Sequence, residues 1–375
     1  MKKVRENIKY ILILFGGILS KKNKNHVLPS MLNSSDTNGP GRFISNLDKG
    51  LIKVGEVKII RNPFLGARTL LVISSMPIFM YRLMQKIGVK VVLRVDGFSY
   101  PDLYNNETYE ETKNRSKRSF TLARIKTNYQ IQSGLKLADW VVFQSEFSKE
   151  MSGKWLYNRI HNFSVIANGV DIELFKPINI KQEQKHIISV HGNLRDIDII
   201  LCALNVFALL ERGQHNFEFC FRLIGNKTFQ VCETIDRFLS ENDDVKEKIE
   251  LIGGVNAEQL AKLLPESSVS LHLTSADACP NSVLESLSCG VPIVCQAYGG
   301  QSELVGDAGI VIDNKEAFDY SHTVAEMASQ AIVNMMPRLD DFKVRARERA
   351  QTYYSFKMMS SKYNDVFKDV NTNGT

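Results

Sequence analysis

Cysteine is scarce in this 375-residue chain: the six present (Cys202, Cys220, Cys232, Cys279, Cys289, Cys295) all lie in the second half and form no Cys-x-x-Cys pair. That pattern offers neither a zinc ligand set nor a disulfide framework, and reduced thiols in a cytosolic protein fit it best. The apolar run near the N-terminus, Tyr10 to Leu19, has ten residues, whereas a membrane-spanning helix needs about 20. No small-residue cleavage site follows that run, so it does not read as a secretory leader. Interleaved basic and aromatic motifs of the nucleic-acid-binding kind are also lacking, which sets nucleic acid aside as a partner.

A composition of 44% hydrophobic and 23% charged residues is that of a globular protein, and the length suits two domains. The net charge of +6 is unevenly spread. From Met1 to Phe175 there are 27 Lys plus Arg against 14 Asp plus Glu; the remainder has 20 against 27. A basic first half points to an anionic membrane leaflet or an acidic substrate. Lys2, Lys3, Arg5 and Lys9 precede the Tyr10–Leu19 run, and Lys21, Lys22 and Lys24 follow it. Two readings of this segment stand, an interfacial anchor and a buried first strand or helix.

β-rich runs alternate with helical stretches along most of the chain, which predicts an α/β fold with parallel sheets. Strands are expected at His26–Met31, Val57–Ile60, Thr69–Ser74, Lys90–Arg94, His186–His191, Glu218–Gly225, Ile249–Gly253, Val269–Thr274 and Gly309–Ile312. The stretch from Asn33 to Arg42 contains Gly39 and Gly41 and precedes an apolar helical pattern at Phe43, Ile44, Leu47 and Leu51. It reads as a strand, a glycine loop and a helix; a ligand-approach loop and a simple tight turn both fit. Asp96 stands at a strand's C-terminal end, where ligands bind in open α/β sheets, and it is also a natural turn-capping residue. Asp196-x-Asp198 opens a helix, where acids complement the dipole.

The most informative stretch is Ser275 to Glu303. Asp277 and Glu285 are separated by seven residues, with Pro280 and Asn281 where a helix begins and Gly290 and Pro292 where one ends. Val283, Leu284 and Leu287 are expected to face the core, with Glu285 pointing the other way and Asp277 in the preceding loop. Two carboxylates then flank a helix N-terminus. Orphan N–H groups there suit a phosphate, and the carboxylates can accept hydrogen bonds from ribose or sugar hydroxyls. A capped helix with solvated acids is the plainer alternative.

Four features together resemble the group 1 family of retaining glycosyltransferases: the Asp277–Glu285 spacing, Cys289-Gly-Val-Pro-Ile-Val294, Gly299-Gly300-x-x-Glu303, and Asn168-Gly-Val-Asp171 followed by Phe175-x-Pro177. The resemblance implies two Rossmann-like domains facing each other across a cleft (GT-B type), with a C-terminal helix returning to the first domain. It divides the chain into an N-terminal segment (1–25), an acceptor domain (26–180), a nucleotide-sugar domain (181–350) and the returning helix and tail (351–375), with the hinge between Pro177 and Lys185.

It also implies transfer of a sugar from a nucleotide sugar to an acceptor hydroxyl with retained configuration, without a bound metal or other cofactor. Carried over by position, Glu285 holds the nucleotide ribose, Asp277 contacts the donor sugar's hydroxyls, and Asn281 assists with its amide. Arg195 serves the diphosphate; Gly39, Gly41 and Arg42 lie beside donor phosphates and acceptor; Tyr298, Gly299, Gly300 and Glu303 line the donor side. Asp96 and Asp277 are the candidate catalytic residues that the resemblance implies. Three positions depart from the family pattern: Asp277 where Glu is usual, Asn193 where Arg is usual, and Asp96 where many members carry a histidine against the donor sugar.

The expected acceptor is a glycan or lipid-linked glycan, in cell-surface polysaccharide or lipid-linked glycan synthesis, and the expected location is cytoplasmic or peripheral on the cytoplasmic membrane face. The departures keep a non-catalytic nucleotide-sugar-binding partner subunit open, and a GT-B-type epimerase or phosphorylase is a third reading.

Overall fold

The computed structural model describes residues 23–31, 39–55, 57–99, 117–178, 185–314 and 317–372; the N-terminal segment expected at a membrane surface lies outside them. The chain divides into two units, Met1–Gly169 with Phe356–Thr375, and Val170–Ser355. The first passage between them falls at Gly169–Val170, ahead of the Pro177–Lys185 stretch where the sequence places the hinge.

In the first unit the order is β1 (Asn23–Pro29), α1 (Gly39–Val54), β2 (Lys58–Ile59), β3 (Ala67–Ile73), α2 (Ile78–Lys86), β4 (Lys90–Arg94), α3 (Lys117–Leu137), β5 (Trp140–Phe143), α4 (Glu146–Trp155) and β6 (Phe163–Val165). The sheet is parallel throughout, ordered β2-β1-β3-β4-β5-β6. Its inner strands are near-continuous apolar runs because helices cover both faces. Leu70 to Ile73 and Val91 to Leu93 are all buried. Ser145 starts α4 by accepting the Ser148 N–H at 3.0 Å.

The C-terminal helix, Phe356–Thr372, belongs to this unit. Its Met359, Tyr363, Val366, Phe367 and Val370 recur at helical spacing and share one core with Phe43, Ile44, Leu47 and Leu51 of α1. Helix α1 begins at Gly39, so Gly39 and Gly41 occupy its first turn and are not a loop ahead of Phe43. Pro40 explains the early start, since a proline in the first turn gives up an N–H that has no helical partner.

The second unit runs β7 (Lys185–His191), α5 (Ile197–Arg212), β8 (Glu218–Ile224), α6 (Phe229–Glu241), α7 (Asp243–Lys246), β9 (Ile249–Ile252), α8 (Ala257–Leu263), β10 (Val269–His272), α9 (Asn281–Ser288), β11 (Ile293–Gln296), α10 (Gln301–Val305), β12 (Gly309–Ile312), α11 (His322–Met335) and α12 (Leu339–Tyr353). This sheet too is parallel, ordered β12-β11-β10-β7-β8-β9. The chain leaves β7 outward through β8 and β9, then returns to the other side of β7 as β10. That reversal makes β7 and β10 the topological switch point, outside whose carboxyl ends an open α/β sheet binds ligands.

Candidate functional site

Four pieces of chain meet at the carboxyl ends of β7 and β10: the turn after His191, the loop from Leu273 to Pro280, the start of α9, and the loop before α10. The loop 275–277 is fastened to 298–300 by two backbone bonds, Ala276 N–H to the Tyr298 carbonyl and Gly300 N–H to the Asp277 carbonyl, both 2.8 Å. Ala276 is thereby held at φ 60°, a left-handed conformation that costs a side chain other than glycine about 1 kcal/mol or more. Gly299 adopts φ 151° and lies so close to Gln301 that a Cβ would overlap its amide. Gln301 is fully buried and donates to the carbonyls of Thr274, Gln296 and Tyr298, each at 3.1 Å. The loop around Asp277 is thus built as a fixed shape.

Asp277 is partly exposed and takes the Cys279 N–H on Oδ1 at 3.0 Å. Burial raises its pKa above the usual carboxylate value, with the Cys279 N–H pulling the other way. Asn281 opens α9, whose cap position is Pro280 with no side-chain cap bond. The expectation that Glu285 faces away from the core is corrected here: every residue from Val283 to Ser288 is buried, and Glu285 is only 5% exposed. The helix lies in the interior on all sides, so its acid is enclosed as well, and the solvated-acid alternative does not hold for Glu285. Its Oε2 lies 3.5 Å from His191 Nε2.

The far end of α9 is tied down by Arg347, which donates to the Ser288 carbonyl at 2.7 Å, to that of Phe175 at 3.0 Å and to that of Ile172 at 3.0 Å. A cation at a helix C-terminus also suits the dipole. Glu303 lies in α10, and its carbonyl accepts from Arg349 at 2.8 Å and Tyr354 at 3.3 Å. Arg195 stands exposed on the turn after β7, and Asp196 behind it is the cap of α5, accepting from Asp198 N at 3.1 Å and Ile199 N at 3.3 Å. Asp196 therefore has a structural job. Among the described residues no cluster of three or more His, Cys, Asp or Glu could hold a metal ion.

Asp96, Gly39, Gly41 and Arg42 belong to the first unit. Asp96 is engaged on both oxygens: Oδ1 pairs with Arg94 and accepts from Gln144 at 3.1 Å, and Oδ2 accepts the Ser74 hydroxyl at 2.7 Å. Arg94 itself is buried, donates to Gln144 at 2.8 Å and Asn168 at 2.7 Å, and lies 4.0 Å from the centre of the Phe43 ring. These bonds join the carboxyl ends of β3, β4 and β5 to α1.

Three residues of the second unit escaped the sequence reading. His191 and His272 end the neighbouring strands β7 and β10, and only strand pairing makes them neighbours. Lys227 is a half-buried cation beside Leu194, donating to the carbonyls of Ile252 at 2.7 Å, Gly225 at 3.2 Å and Leu223 at 3.4 Å; burial lowers its pKa. A lysine three residues past a strand carries no sequence signal of such a position.

Residues 185–330 match the family model described as Glycosyl transferases group 1. No curated protein sequence matches the chain. Among solved structures, sucrose-phosphate synthase (tll1590) from Thermosynechococcus elongatus superposes with a TM-score of 0.69 at 13% identity, covering 93% of this chain and 99% of that one. A glycosyltransferase from Rickettsia africae ESF-5 gives 0.67 at 14% identity, with 94% and 100% covered. Anabaena Alr3699/HepE in complex with UDP-glucose gives 0.62 at 13% identity, with 92% and 99% covered. At such identities the likeness is one of fold.

Proposed function

We propose that this chain, whose residues 185–330 match the model of the group 1 glycosyl transferases and whose two-unit α/β architecture is that of GT-B glycosyltransferases, moves a sugar from a nucleotide sugar to an acceptor hydroxyl with retention of configuration. The observation that carries this reading is Glu285, a carboxylate enclosed in the middle of α9, eight positions after Asp277, at the switch point of the sheet. A carboxylate held at the ligand-binding end of an open α/β sheet suits the hydroxyl groups of a ribose. Glu285 is assigned to the ribose and Asp277 to the hydroxyls of the donor sugar. The N–H groups opening α9 at Asn281, together with Arg195, are assigned to the diphosphate.

A leaving diphosphate needs compensation of its charge. Fixed N–H donors and a cation supply it in a preorganised form, at about a few kcal/mol per donor in the transition state. No metal is assigned a part, and no nucleophile is named on the protein. Gly299, Gly300 and Glu303 are assigned to the donor side because their loop is bonded to Asp277's own backbone. Gly39, Gly41 and Arg42, opening α1, are assigned to the phosphates and acceptor from the first unit, and Asp96 to holding the carboxyl ends of its strands. The acceptor is assigned as a glycan or lipid-linked glycan at an anionic membrane, on the strength of the basic first half.

The test is thermal stability of the purified protein against UDP, GDP, ADP and CMP sugars, with Glu285→Ala alongside. A ligand at a hundred times its dissociation constant stabilises by about 2.7 kcal/mol, a shift of several degrees for a unit of this size. The shift should occur with one nucleotide and vanish in Glu285→Ala. A shift without turnover of any acceptor would favour the non-catalytic partner reading, and no shift at all would remove the assignment of Glu285.

A further inference from the structure

We infer that His191 is the residue that orients Glu285 for the nucleotide ribose, a positioning role that rests on reading this site as a nucleotide-sugar site. Ser270 of β10 stands level with Ser189 of β7 in the parallel register. Two residues on, where side chains return to the same face, His272 and His191 end their strands side by side at the switch point. Both reach α9. His272 Nδ1 is 3.3 Å from the Ser282 hydroxyl, and His191 Nε2 is 3.5 Å from Glu285 Oε2. The two histidines thus address successive turns of the helix that carries the ribose acid.

They are not equivalent. Burial, reinforced by the neighbouring His191, pushes the His272 pKa down to about 3, so that ring stays neutral and serves Ser282. His191 is the ring that faces the carboxylate, with side chains 2% and 6% exposed on the two sides of the contact. Both His191 ring nitrogens are buried without a hydrogen-bond partner among the described residues. Leaving such groups unsatisfied costs stability, and a valine or leucine would end the strand without that cost. A packing role therefore does not explain an imidazole here.

At 3.5 Å the contact is longer than a hydrogen bond, and a small rotation of either side chain makes it one. An N–H from His191 on Oε2 holds the carboxylate in one rotamer. A carboxylate fixed in this way presents acceptor oxygens to the two hydroxyls of a ribose.

The experiment measures binding of UDP and GDP, and of their 2′,3′-dideoxy counterparts, by titration calorimetry to wild type, His191→Leu and His191→Gln, with thermal unfolding of each variant as a folding control. For the nucleotide that binds wild type, His191→Leu should weaken affinity about ten-fold, the worth of one hydrogen bond to a charged group. The dideoxy form, lacking the hydroxyls, should lose almost nothing, and His191→Gln, which keeps an N–H donor, should recover most of the loss. Equal loss on ribose and dideoxy forms, or no loss on either, overturns the positioning role while the nucleotide site stands. If His191→Leu does not fold, His191→Gln against wild type decides by the same comparison. If wild type and Glu285→Ala bind neither nucleotide, the reading of the site fails and the role of His191 with it.

Discussion

Asp277, the acid proposed to meet the donor sugar, is set against stability. Its pKa in the folded protein lies above the ordinary 3.8 because burial disfavours the charge. The native state therefore holds this proton more tightly than the unfolded chain does. As pH rises from the unfolded value through the raised folded value, stability falls, and above that window the penalty is constant. Asp277→Asn removes the penalty, so the variant should melt higher than wild type at pH 7, by about 2–4 °C for each kcal/mol relieved, and the two should converge in acid. Transfer activity should drop at the same time, since an amide cannot act as a pure acceptor for sugar hydroxyls. A lower melting point at pH 7, measured by calorimetry, would show that Asp277 is held by favourable contacts and is not strained.

Among the elements, the pairing of α1 with the C-terminal helix depends on one glycine. A Cβ on Gly50 would lie 2.7 Å from the backbone carbonyl of Phe356 and overlap the Ser360 side chain, whose hydroxyl donates to the Leu47 carbonyl at 3.1 Å. Tyr363 packs on Phe43 beside this contact, with ring centroids 5.4 Å apart. Gly50→Ala should destabilise the first unit by about 1–3 kcal/mol through overpacking, although alanine favours an isolated helix. Denaturant unfolding followed by Trp140 fluorescence would check it; an unchanged midpoint would mean that the two helices separate without cost. Gly169 has the same kind of reason. Its φ is not positive, and a Cβ there would lie 2.5 Å from Phe356 Cα. Close approach, not turning, requires that glycine, and no local pattern announces a partner nearly two hundred residues away.

At the scale of the whole molecule, each unit has its own core, and the core of the second is built entirely from residues between Ile188 and Phe342. The fragment 170–355 should therefore fold alone and keep the nucleotide-dependent thermal shift, because Asp277, Asn281, Glu285 and His191 all lie in it. It should not bind anionic vesicles, which the full chain should, since the excess of positive charge lies before Phe175. Co-sedimentation with anionic vesicles tests this, and equal binding by fragment and full chain would remove the first half as the membrane-facing part. No described helix is long and apolar enough to cross a membrane. Deleting 356–375 should be the opposite experiment, opening the core around Tyr363 and Phe367 in the first unit while leaving the second intact.

Much was legible in the residues themselves. Lys90–Arg94 and Gly309–Ile312 form strands with the bounds their β-rich runs predict, and α9 spans nearly the stretch that Pro280 and Gly290 delimit. The spacing of Asp277 and Glu285 places one in the loop before α9 and the other inside it, because helix geometry is local and the residues that bound the helix lie within a few positions. The start of α1 was misread because Pro40 admits the helix before the apolar pattern begins. Strand order was beyond the sequence for a different reason. Whether β10 returns beside β7 or continues past β9 depends on packing between segments about eighty residues apart, which local propensity does not encode. That choice makes the switch point, sets His191 level with His272, and encloses Glu285 against an imidazole. The sequence by itself determined which elements form and which acids lie before and within α9; the tertiary structure alone decided what those acids face.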